Sequence, residues 1–186
     1  MAASTASTSS VAKVSHISSA ATLCGTAPAV AQGKTKPGAV PQSVAALEMC
    51  ETFATDDVLA VEAAIEKGWD AYEDGAESPY VKSYSGSKEL SGIGYATMFA
   101  LVEDYPSATF GYCRVDVTEV TGNANNEVQI IQGLGRYEGQ VIQNGDGNFA
   151  SLTGKDDKNR MLLTHLADGK FVIQLSIITP KTEAND

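Results

Sequence analysis

Long hydrophobic runs are missing from this chain. No apolar stretch in its 186 residues approaches the ~18 that a helix needs to cross a bilayer, so no membrane span is expected. Cysteine is scarce: Cys24, Cys50 and Cys113 are odd in number, and none stands in a CxxC pair or a Cys/His cluster. That usage indicates neither a disulfide framework nor a zinc site, and it points to a reducing compartment with Cys113 as an inert buried thiol. Histidine is scarcer, with only His16 and His165, too few to build a metal site. Positive charge is also short. Thirteen Lys and Arg face 23 Asp and Glu, and a chain of net charge -10 repels phosphate backbones, which excludes nucleic acid as the expected partner.

Catalytic signatures are absent too. There is no P-loop, no GxGxxG following a strand, no HExxH and no GxSxG. Gly133, Gly135 and Gly139 lack the spacing of a nucleotide-binding loop, and the adjacent Asp156 and Asp157 project in different directions and cannot share a substrate. The sequence therefore reads as a non-catalytic protein with no cofactor and no metal.

What is present divides the chain in two. Residues 1–47 hold Lys13, Lys34 and Lys36 and no carboxylate, so this segment carries +3 and the remaining 139 residues carry -13. The first segment is rich in Ala, Ser and Thr, lacks aromatic residues, and cannot offset its ordering entropy by burial. It reads as a disordered or extended basic tail, ending in a Pro-containing linker at Lys34–Pro41. A Ser-rich, acid-free N-terminus also has the composition of a transit peptide, with the lack of Arg favouring a plastid; a flexible arm is the alternative. Residues 48–186 are expected to form one domain.

Within that domain, Thr55 or Asp56 can cap a helix through Val58, Val61, Ile65, Trp69 and Tyr72, whose spacing is helical. Two segments, Tyr80–Tyr84 and Glu89–Ile93, flank Ser85-Gly86-Ser87 and read as a short hairpin. Gly92 and Gly94 open a second helix with Tyr95, Met98, Phe99, Leu101 and Val102 on its apolar face, ended by Tyr105-Pro106. Thr109–Val120 and Glu127–Leu134 read as a long hairpin, and Tyr137–Gln143, among several glycines, as a short strand or irregular. A last helix starts at Asp156 or Asp157 and closes at Asp168-Gly169, followed by a strand over Phe171–Thr179. The expected fold is α+β, with a central mixed sheet of about five to six strands flanked by helices.

Several strings between Asp57 and Asp186 resemble the coactosin branch of the actin-depolymerising factor homology family, the fold shared with cofilin. They are Phe110-Gly111-Tyr112-Cys113-Arg114-Val115, the polar Gly122–Asn126 turn, and Val128-Gln129-Ile130-Ile131-Gln132-Gly133-Leu134-Gly135, preceded by Tyr84-Ser85-Gly86 and Glu89-Leu90-Ser91-Gly92. The resemblance implies association with filamentous actin, a cytoplasmic, cytoskeletal location and no cofactor. It makes Lys155, Lys158 and Arg160, with Arg136, the partner-binding residues, since actin filaments are acidic. The alternative for these cations is a solvated face interleaved with Asp156 and Asp157. Where the family usually carries a filament-binding Lys, this chain has Glu127, a reversal of charge. That departure, the acid-free tail and the domain charge of -13 support a second reading: an organelle-targeted structural subunit of a large protein complex, without actin binding.

Overall fold

The computed structural model describes residues 40–181, apart from 56–57, 76–77, 123, 125 and 146. The transit-peptide and flexible-tail readings concern residues that lie almost wholly outside this range. Residues 42–47, at the end of the segment read as a tail, form the first turns of a buried helix.

That helix, α1 (Gln42–Thr55), is followed by α2 (Ala60–Glu66) and then by β1 (Asp70–Glu73), β2 (Val81–Leu90), β3 (Gly94–Asp104) and β4 (Ala108–Val117). A short α3 (Glu127–Gln132) leads into β5 (Tyr137–Asn144), β6 (Gly147–Gly154), β7 (Arg160–Ala167) and β8 (Lys170–Pro180). All eight strands join one sheet in the order β1-β2-β3-β4-β8-β7-β6-β5, and every pairing is antiparallel. The expected mixed sheet of five to six strands, with helices on its faces and the homology fold of actin-depolymerising factor, is therefore corrected. The sheet is larger, wholly antiparallel, and covered by helices on one face.

The two halves have the same plan, a short helix followed by a four-stranded meander. Their elements start at nearly constant separation: α3 begins 67 residues after α2, β5 67 after β1, β6 66 after β2, β7 66 after β3 and β8 62 after β4. The last strand of each half pairs with the other at the sheet centre, so an approximate two-fold axis runs between β4 and β8. On this axis, α1 packs across the inner face of β3, β4 and β8.

Three further corrections explain why the sequence misled. Gly94–Asp104 is a strand, not a helix. Ala96, Met98, Ala100 and Val102 point inward while Tyr95, Thr97 and Phe99 point outward, and apolar residues on both faces hide the two-residue period. The predicted last helix is β7, and Asp168-Gly169 is the two-residue turn of a β7–β8 hairpin rather than a helix stop. Both turn residues have positive φ (51° and 69°), and Ala167 faces Lys170 across the turn, as a type I′ turn requires. The predicted strand at Glu127–Leu134 is α3, which buries Val128 and Ile131 three residues apart. Phe110–Val115 lies in a strand as expected, but the strings following it, on which the resemblance also rests, belong to a loop and a helix.

The Ser85-Gly86-Ser87 turn is likewise interior to β2, where Gly86 sits against Met98 and Ala71. The β2–β3 turn falls at Ser91–Ile93, with Gly92 at φ 80°.

The core lies between the helices and the inner sheet face. Leu47, Met49, Cys50 and Phe53 of α1 are fully buried against Val115, Ile173, Leu175 and Ile177, and Trp69 is buried as expected, whereas Tyr72 is exposed. Cys50 and Cys113 form a disulfide that fastens α1 to β4. This corrects the reading of Cys113 as a free thiol. The scarcity of cysteine hid a bond between residues 63 apart that only the docking of α1 on β4 brings together.

Candidate functional site

The four cations assigned to partner binding are gathered at one end of the domain, but three of them, Arg136, Lys158 and Arg160, pair with carboxylates of the same chain. Glu51, on α1 and mostly buried, accepts a hydrogen bond from Arg136 Nη2 at 3.0 Å, from Arg160 Nη1 at 3.4 Å and from the Tyr137 hydroxyl at 2.6 Å. Glu48 adds a second, longer pair to Arg136 at 3.9 Å. Lys158 pairs with Glu138, holding that carboxyl below its ordinary range, and the charge of Lys155 acts on Glu138 as well. Burial, together with its bond to Glu51, pushes the Tyr137 hydroxyl well above its usual pKa. These residues close the sheet end onto α1. Arg160 starts β7 instead of lying on a helix.

A different surface stands out on the face of the sheet that carries no helix among the described residues, the helix-free face. Cross-strand register aligns its outward side chains in rows. One row reads Ser85, Phe99, Arg114, Gln174, Leu163, Ser151 and Gln140 from β2 to β5. The next reads Ser87, Thr97, Asp116, Val172, His165, Phe149 and Ile142, and on the other side Ser83, Leu101, Tyr112, Ser176, Met161, Thr153 and Glu138. The face thus has a polar spine on β4 and β8, apolar wings on β3 and on β7–β6, and a polar rim of β2 serines and β5 Gln140 and Glu138.

The wings are large and open. Phe99 is 45% exposed, Met161 51%, Leu163 48% and Ile142 56%. In the spine, Arg114 donates from Nε and Nη2 to both oxygens of Asp116 at 2.7 Å and from Nη1 to Gln174 at 3.1 Å, a fixed fork that neutralises the centre of the face. Its pairing with Asp116 holds Arg114 in the charged form. His165 stacks on Phe149 with ring centroids 5.6 Å apart. Burial first, and then the Arg114 charge, lowers its pKa, with Asp116 opposing. Between Ile142, Phe149, Leu163 and His165 lies a shallow depression of about 280 Å³.

Another concavity, about 530 Å³ beside Tyr80, Val81 and Pro106, has polar groups that satisfy one another: Tyr105 bonds Glu103, and Lys181 pairs with Asp104 at 2.5 Å. Among the described residues, no cluster of His, Cys, Asp and Glu could hold a metal ion, and no helix is long and apolar enough to cross a membrane.

The wing residues escaped the sequence reading because Phe99 and Leu163 were assigned to apolar helix faces turned toward a core. Their signal was the alternation of small inward Ala96 and Ala100 with large outward Tyr95 and Phe99. Comparison with protein-family models, with curated proteins and with solved structures finds no match.

Proposed function

We propose that the described unit is a non-catalytic protein-binding module, a structural subunit of a protein assembly that docks through the helix-free face of its sheet. The observation that carries this reading is the face itself: apolar wings surrounded by a polar rim, with the only central charges paired. Large exposed apolar side chains within a polar rim are the anatomy of a protein interface.

Association along an actin filament would draw on Lys155, Lys158, Arg160 and Arg136. The internal pairs to Glu51 and Glu138 engage three of these four and favour the assembly reading over the filament one. The Cys50–Cys113 bond supports an oxidising or organellar space over the cytosol, since cytosolic thiols are kept reduced.

The test compares the tagged chain with a Phe99→Asp/Leu163→Asp variant in an extract of the native source. Wild type should migrate in a complex larger than itself and the variant should not, while circular dichroism shows that both are folded. Co-migration of the folded variant with the same complex contradicts the proposal. Neither protein should co-sediment with actin filaments at low salt.

A further inference from the structure

We infer that the partner on the helix-free face is a second copy of this chain, stacked sheet against sheet about a two-fold axis. This rests on the reading of that face as a docking surface and names its occupant.

A two-fold interface must match itself, because the same patch serves both subunits. The face has that property. Outward from the spine, the central row reads Arg114 then Phe99 in one direction and Gln174 then Leu163 in the other, polar then apolar on both sides. The approximate internal two-fold produces this palindrome, since β3 and β7 occupy equivalent places in the two halves. Apolar wing therefore meets apolar wing, and polar spine meets polar spine, when one face is turned onto another.

Size agrees. The six strands from β2 to β6, centred on the β4–β8 pair, occupy about 29 Å at about 4.8 Å each, and eight residues of strand at about 3.4 Å rise span about 27 Å. The footprint is on the order of 800 Å² per copy, the amount a standard stable interface buries on each partner.

Charge narrows the choice further. With residues 48–186 at -13, two copies repel each other over most of their surfaces. At the centre of the helix-free face the repulsion is locally small, because the Arg114 guanidinium and the Asp116 carboxylate cancel, while Asp70, Asp74 and Glu138 lie toward its edges.

Sedimentation equilibrium of the purified full-length oxidised chain tests the inference. The expected mass is twice the 19.4 kDa of one chain. Phe99→Asp/Leu163→Asp should weaken the dimer by about thirtyfold or more, as removal of central interface contacts does, and the single Thr97→Arg, at an exposed position beside Phe99, should do so with less risk to folding. Ser83→Asp on the rim should leave the dimer intact. A wild-type monomer across the concentration range overturns the inference, as does a dimer that both folded face variants leave unchanged. In either case the native-extract comparison separates the two ideas. Loss of a complex by the variant there leaves the docking face standing with another protein on it, whereas retention removes both.

Discussion

Glu51 shows how one side chain can decide what its neighbours are free to do. It is the shared acceptor for Arg136, Arg160 and Tyr137, side chains more than eighty residues distant in sequence, and it turns what reads as a basic patch into a closed internal network. Replacing it by Gln leaves two guanidinium groups facing a neutral amide. Glu51→Gln should lower the unfolding free energy by about 2 kcal/mol, the scale of hydrogen bonds to charged groups, measured by urea denaturation. An unchanged midpoint would mean that water serves these groups equally well. His165 sets a pH dependence. Its folded pKa lies below the ordinary 6.5 because it is partly buried and feels Arg114, so the unfolded chain takes up a proton more readily. Stability should therefore fall as pH drops through about 6.5, and level off, for this group, below the folded value. Melting temperatures between about pH 8 and pH 5 should show that slope, and His165→Gln should flatten it. An identical slope in the variant would assign the effect to other groups.

At the scale of elements, α1 is the keystone. It reaches β4 closely enough that a Cβ on Gly111 would stand 2.1 Å from the Ala54 carbonyl oxygen, so Gly111→Ala must push the helix end away. A loss of about 1–3 kcal/mol is expected, as for overpacked cores. The disulfide fastens the same helix. Closing a loop over a separation of 63 residues restricts the unfolded chain by about 4 kcal/mol, so Cys50→Ser/Cys113→Ser should show that loss in denaturant and reduced wild type should match it. Equal stability of oxidised and reduced wild type would remove the bond from the energetics.

How much of this was legible follows from which residues carried an unambiguous period. Ala108–Val117, Tyr137–Asn144 and Lys170–Pro180 were readable as strands from their β-branched and aromatic content, and Trp69 as core. The outer wings were not, because a strand with apolar residues on both faces has no amphipathic period and Phe99 or Leu163 then resembles a core residue. Nor was α1, whose first half looks like the Ala- and Ser-rich tail before it, nor the Asp168-Gly169 turn, where the same dipeptide can end a helix or turn a hairpin.

At the scale of the whole domain, two similar halves place a face that carries no helix among the described residues opposite a helical layer, with the Arg114–Asp116 pair neutralising its centre. Function, on this view, lies in what covers the face. The most direct measurement is hydroxyl-radical footprinting of Phe99, Met161 and Leu163, in the assembly isolated intact from its source and in the dilute purified chain. If the face is the docking surface, these three side chains are protected several-fold in the assembly, while Tyr80, exposed just before β2 and outside these rows, reacts equally in both samples. Equal reactivity of all four in both samples would contradict it, and would return the search to the helical side.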